Sequence, residues 1–142
     1  MKFLEEHLVN LDVSVSSAEE AIRMAGRLLV EDDLADPRYV DAMVDSYKIN
    51  GPYFVLSPQI ALPHARPEDG VKEASVSFVR LKEPVVFGHA ANDPVQLVFG
   101  LGASSSEEHL KLLQKLMRLL GTSSNIEKLK NAPCFSEITK LF

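Results

Sequence analysis

Apolar positions recur at helical spacing near both ends of the chain and alternate or run together in its middle. Ala18, Ala21, Ile22, Ala25, Leu28 and Leu29 follow the i, i+3, i+4 pattern, and Ser16 and Ser17 stand three residues before Glu19 and Glu20, as in a capping box. This predicts a helix over 17–31. Asp36-Pro37 reads as a cap followed by proline at the first helical position, and Val40, Met43, Val44 and Tyr47 give a second apolar stripe ending by Asn50-Gly51-Pro52. A third helix starts at Ser104-Ser105 ahead of Glu107-Glu108, carries its stripe on Leu110, Leu113, Met117 and Leu120, and stops at Gly121. Shorter helices are expected over 124–130 and 135–142, and Leu4, Leu8 and Leu11 suggest a short amphipathic turn at the start.

Between these lie the strand signals. Residues 74–81 alternate, with Val76, Phe78 and Arg80 on one side and Ser77 and Val79 on the other; Val85 to Phe87 extend them. Residues 95–101 are apolar on both faces, as in a central buried strand. Residues 53–56 and 60–62 are shorter extended candidates, and Pro63 pushes Leu62 toward strand geometry. Helices flanking a strand-rich middle argue one α/β domain over 1–142, its mixed sheet covered by helices on both faces.

Composition narrows the function. At 142 residues, 46% hydrophobic and 25% charged, the chain suits an ordinary soluble domain that buries roughly two-thirds of its unfolded surface. A net charge of −5 with no basic run argues against nucleic acid or anionic membrane as partner. No apolar stretch approaches the ~18 residues of a membrane span, no signal-peptide core is present, and the one cysteine, Cys134, fits a cytoplasmic location and is expected to be packed.

The candidate chemistry sits in I-A-L-P-H-A-R-P-E-D-G, residues 60–70. Pro63 and Pro67 stiffen the loop around His64. A largely neutral imidazole is a competent nucleophile, and Arg66 offers a charged fork suited to phosphate oxygens. Residue chemistry leaves two readings open, a phosphoryl-accepting pair or a loop histidine with a solvated arginine. His109, where an apolar strand gives way to a helix start, is either an exposed helix histidine or a second group facing His64 across an anion site. His7 and His89 read as surface residues, and no metal-ligand spacing, nucleotide loop or other cofactor motif occurs.

Beside these residues stand D-P-V-x-L-V-F (93–99) and E-H-L-x-L-L-x-x-L (108–116). Together with L-P-H-A-R they resemble the mannitol/fructose-type enzyme IIA of the phosphoenolpyruvate-dependent sugar phosphotransferase system, over essentially the whole chain. A-L-P-H-A-R-P-E-D-G-V (61–71) looks most like its ascorbate-specific branch. The resemblance implies a three-layer α/β/α sandwich with a mixed central sheet. It implies that His64 accepts a phosphoryl group from the histidine-containing phosphocarrier protein and passes it to enzyme IIB, with a cysteine in the ascorbate type, and that the membrane enzyme IIC selects the sugar. His109 matches the family's second active-site histidine. The arginine that mannitol-type members carry upstream of the motif is absent: Tyr47-Lys48-Ile49-Asn50 stands there, leaving Lys48 or Arg66 to hold the phosphate. An apolar rim of Leu62, Phe54 and Val71 is expected to dock partners. The alternative is a regulatory phosphoacceptor domain controlling a transcription or transport partner.

Overall fold

The computed structural model describes residues 1–142. Five strands form one mixed sheet: β1 (Lys2–Phe3), β2 (Val9–Val13), β3 (Ile60–Ala61), β4 (Ser75–Val85) and β5 (Val95–Gly102). β4 and β5 pair antiparallel at the centre; β1 and β2 run parallel to β4 along its free edge, and β3 runs parallel to β5 on the other side. Helices α1 (Ala18–Glu31) and α2 (Pro37–Asn50) cover one face, and α3 (Ser106–Leu120), α4 (Ser123–Asn131) and α5 (Phe135–Thr139) cover the other. The three-layer sandwich with a mixed sheet is therefore the observed architecture.

The two faces of β4 and β5 divide the core. Ala25, Leu29, Met43, Val79 and Val98 pack together on the first face, and Phe78, Leu97, Phe99, Leu112 and Leu116 on the second, where the Phe78 and Phe99 rings stack at 4.7 Å between centroids. Helix α1 lies close on the sheet because the positions beneath it are small. Gly100 sits opposite Ser77, and a Cβ on Gly100 would lie 2.6 Å from Ser77 Oγ and 3.2 Å from Ala25. The Ser77 hydroxyl is satisfied by donating to the Ala25 carbonyl at 2.7 Å.

The expected caps at Ser17 and Ser105 form, Thr122 adds one not expected from the sequence, and Asp36 stands at its N-cap position without a side-chain bond. Ser17, Ser105 and Thr122 side chains accept from the backbone N–H of Glu20, Glu108 and Asn125. Other expectations fail for physical reasons. The opening residues form two strands joined by a 3-10 turn rather than one amphipathic turn, because β4 offers an unpaired edge that their backbone satisfies. Residues 53–56 are a turn rather than a strand; Phe54 and Val55 are buried, and their carbonyls accept from the Leu62 N–H and the Asn92 side chain. Strand β4 takes in Val85 but stops before Val86 and Phe87. On α3 the fully buried residues are Leu112, Leu116 and Leu119; of the expected stripe, Leu113 and Leu120 pack at the edge of that core while Leu110 and Met117 are exposed. Gly121 ends that helix at φ −76, without a left-handed cap. Cys134 is exposed at the start of α5, because its side chain contacts the Ser136 hydroxyl instead of the core.

Arg80 is the one charged side chain in the core, 4% exposed. It donates to both carboxylate oxygens of Asp12 at 3.1 and 3.2 Å and to the Leu129 and Ala132 carbonyls at 3.2 and 2.7 Å, so it closes the last turn of α4 against the sheet. Arg80→Met strands those carbonyls and is expected to cost about 3 kcal/mol by urea unfolding. A loss below about 1 kcal/mol would show that the guanidinium is replaceable by packing.

Candidate active site

Strands β3 and β5 end side by side, and the site is built on their ends. The Pro63 carbonyl accepts from Leu101 N–H at 3.0 Å, and His64 continues the pairing by a parallel bridge to Leu101. Proline can stand at position 63 because the ladder there uses only its carbonyl. The His64 ring is oriented by its own chain: Nδ1 lies 2.7 Å from the Leu62 carbonyl. A carbonyl only accepts, so this contact holds the proton on Nδ1 and leaves Nε2 with a free lone pair.

Beyond β5 the chain turns into α3, which presents His109 from its first turns. The His64 and His109 rings are 4.9 Å apart between centroids. Both are half-buried. Burial, and then the neighbouring His64, hold the His109 pKa below the ordinary histidine value, so His109 is neutral near pH 7. A cavity of about 190 Å³ lies between the two rings and the start of α3, lined by His64, Arg66, Ser105, Ser106 and His109 among others. A helix N-terminus opening on it favours an anion there.

A larger open cleft of about 610 Å³ lies on the other side of His64, against α2, with Ser46, Ile49, Asn50, Tyr53, Arg66 and Asp69 in its wall. The Tyr53 ring stands edge-on to His64 at 5.8 Å, its hydroxyl 3.0 Å from the Ser46 hydroxyl. Arg66 borders both cavities. Its side chain is 75% exposed, with Nε 3.5 Å from Asp69, while Asp69 also accepts from the Arg66 backbone N–H at 2.9 Å. The guanidinium thus stands largely in solvent at the border of the two cavities.

The structure brings His64, His109 and Arg66 together and removes Lys48, whose Nζ is 3.1 Å from Glu19 and lines neither cavity. The expected apolar rim is also corrected. Phe54 and Leu62 are 1% exposed, in the cores of the first and second sheet faces, and Val71 packs against the first; the exposed apolar side chains beside His64 are Ile49 and Tyr53. His7 lies far from the site in sequence and pairs with Asp32 at 2.7 Å, and His89 accepts from Asn92 N–H within its turn. Sequence reasoning missed Tyr39 and Tyr53. Tyr53 stood in a presumed strand, and Tyr39 carries no signal beyond being a large residue beside the apolar stripe of α2.

Residues 2–142 match the family model of the phosphoenolpyruvate-dependent sugar phosphotransferase system, EIIA 2. The chain belongs to this family: it is a phosphotransferase component, an enzyme IIA that carries a phosphoryl group toward enzyme IIB. It is 33% identical over 138 residues to the ascorbate-specific PTS system EIIA component of Salmonella typhimurium, covering 96% of this chain and 90% of that one. The crystal structure of IIA mannitol from Escherichia coli superposes with a TM-score of 0.85 at 34% identity, covering 97% of each chain. The Escherichia coli complex of enzyme IIA-mannitol and phosphorylated enzyme IIB-mannitol contains a chain similar at a TM-score of 0.86 and 33% identity, covering 98% of this chain and 96% of that one. No helix is long and apolar enough to cross a membrane.

Proposed function

We propose that His64 is the phosphoryl acceptor and that Nε2 is the atom phosphorylated, with His109 and Arg66 stabilising the transferred group. The observation that carries this reading is the 2.7 Å contact from Nδ1 to the Leu62 carbonyl, which leaves Nε2 as the nucleophile of a ring facing His109. The Nε2 lone pair attacks the phosphorus of a phosphohistidine on the phosphocarrier protein; the new N–P bond forms as the donor's N–P bond breaks and the donor imidazole leaves. His64 needs no proton change, because the phosphorylated ring keeps its Nδ1 proton on Leu62. The phosphoryl oxygens then lie toward the start of α3, where His109 and Arg66 border the smaller cavity, and charge stabilisation falls to these groups in place of the missing upstream arginine. In the second half-reaction a thiolate of enzyme IIB attacks the phosphorus, an S–P bond replaces the N–P bond, and His64 returns to its starting tautomer. Such transfers are near balance, so positioning carries most of the catalysis.

The whole span 1–142 acts as one cytoplasmic carrier domain serving ascorbate uptake through a cysteine-type enzyme IIB and, indirectly, the membrane enzyme IIC. The ascorbate relative's 33% identity supports this branch, as does the L-P-H-A-R-P-E-D-G run. Ascorbate-type and mannitol-type IIB proteins, each offered the phosphorylated chain, test it. Phosphoryl gain by the ascorbate-type protein at a higher rate is expected; transfer to the mannitol type alone contradicts the ascorbate assignment.

A further inference from the structure

We infer that Tyr39 is a positioning residue for phosphoryl transfer, its hydroxyl setting the spacing of His64 and His109 by tying together the segments that carry them. The inference rests on His64 being the acceptor. Tyr39 lies in the first turn of α2 and is 0% exposed. Its hydroxyl donates to the Leu101 carbonyl at 2.5 Å and accepts from the Ala65 N–H at 3.0 Å. The polarity is fixed, since a carbonyl only accepts and an amide N–H only donates, and the phenol has one proton to give. Burial pushes the phenol pKa well above its ordinary value, so this polarity persists at every pH at which the chain works.

The two atoms it joins are the informative ones. Ala65 follows His64 directly. Leu101 is the bridge partner of His64 and leads through the β5–α3 turn to Ser105, whose carbonyl accepts from the His109 N–H. One hydroxyl therefore sits at the junction of both histidine-bearing segments, and α2 supplies the rigid frame. The same turn of α2 holds the far end of the His64 loop. The Asp36 N–H donates to the Gly70 carbonyl at 2.7 Å, and Arg38 donates to the Glu68 carbonyl at 3.0 Å. Gly70 has φ +128, and a Cβ there would lie 3.2 Å from Asp36, so the loop closes directly onto the helix. No second side chain reaches the Ala65 N–H, and phenylalanine at position 39 would keep the packing while leaving a buried donor and acceptor unpaired.

Tyr39→Phe is the test, read in the unphosphorylated chain and in transfer. Ring nitrogen NMR of His64 is expected to show loss of the single Nδ1–H tautomer, and the rate of phosphoryl uptake to fall about tenfold, the scale that sub-ångström misplacement of a reacting group produces. Ile138→Ala, a core truncation in α5, is the control: it lowers stability but leaves the His64 ring signals and the uptake rate unchanged. In wild type, the Ala65 amide is expected to exchange with solvent far more slowly than an open loop amide, a readout that holds whether or not Tyr39→Phe folds. Wild-type ring signals and rate in Tyr39→Phe, equal slowing by Ile138→Ala, or a freely exchanging Ala65 amide would each overturn the inference. If wild type takes up no phosphoryl group while Tyr39→Phe still disturbs the His64 ring, the acceptor assignment fails first and takes the positioning role for transfer with it. If wild type is phosphorylated and Tyr39→Phe changes nothing, only the role of Tyr39 fails.

Discussion

His64→Ala is expected to give a folded chain that gains no phosphoryl group from phosphoenolpyruvate, enzyme I and the phosphocarrier protein. The effect is all-or-none because the substitution removes the atom to which the group bonds. His109 does not stand in for it: it sits on a helix where no carbonyl contact fixes its tautomer as Leu62 fixes that of His64. Folding is expected to survive. His64 is half-buried at the edge of the sheet, and its backbone pairing with Leu101 does not depend on its ring. Mass spectrometry after incubation reads the first part, and near-wild-type circular dichroism the second. Phosphorylation of His64→Ala at the wild-type rate would remove His64 from the mechanism.

The second large effect is expected at His109. In His109→Gln a donor remains but the ability to take up a proton beside the phosphoryl group is lost, and transfer should slow on the order of 10- to 100-fold without loss of fold. The same residue leaves a mark on stability. Burial first, and His64 second, lower its pKa in the folded chain, so below about pH 6.5 the unfolded chain binds more protons there than the folded one. Stability then falls as pH drops through this range, and part of the fall should vanish in His109→Gln. Because the ring is partly exposed, the difference is small and is read as a shift in urea midpoint between wild type and variant at pH 7.5 and pH 5.5. An unchanged transfer rate in His109→Gln would return this residue to the status of an exposed helix histidine.

Some of this was legible in the sequence and some was not, for reasons that lie in particular residues. Helices α1 and α2 were readable because local signals agree: Ser17 and Glu20 form the cap, Pro37 opens the second helix, and Gly51 closes it at φ +77. Strand β4 was readable from the alternation over 74–81 and β5 from an apolar run buried almost throughout. β1 and β2 were not, since a strand of a few residues exists only by virtue of the edge it joins, and Leu4, Leu8 and Leu11 happen to fall at helical spacing. Helix α3 was located correctly with its buried face partly misread: Leu113 and Leu120 border the core, but its centre falls on Leu112, Leu116 and Leu119 because adjacent leucine-rich stripes look alike in sequence. At the site, the prolines and chemistry around His64 advertised themselves. Residue chemistry left its pairing with His109 as one of two readings and resemblance chose it, and the Leu62 contact that fixes the tautomer is a backbone carbonyl with no sequence signature at all. Lys48 illustrates the opposite error: its place in the segment where the resemblance expects an arginine suggested a phosphate ligand, and the helix turns it toward Glu19 instead.

One bond is central to the proposed carrier, from phosphorus to Nε2 of His64. The direct measurement is to phosphorylate the intact wild-type chain with phosphoenolpyruvate, enzyme I and the phosphocarrier protein, and to locate the group by mass spectrometry and nitrogen NMR. A single acid-labile phosphoryl group is expected, on Nε2 of His64, with Nδ1 still protonated. A stable group on another residue, attachment at Nδ1, or no gain of mass would contradict it.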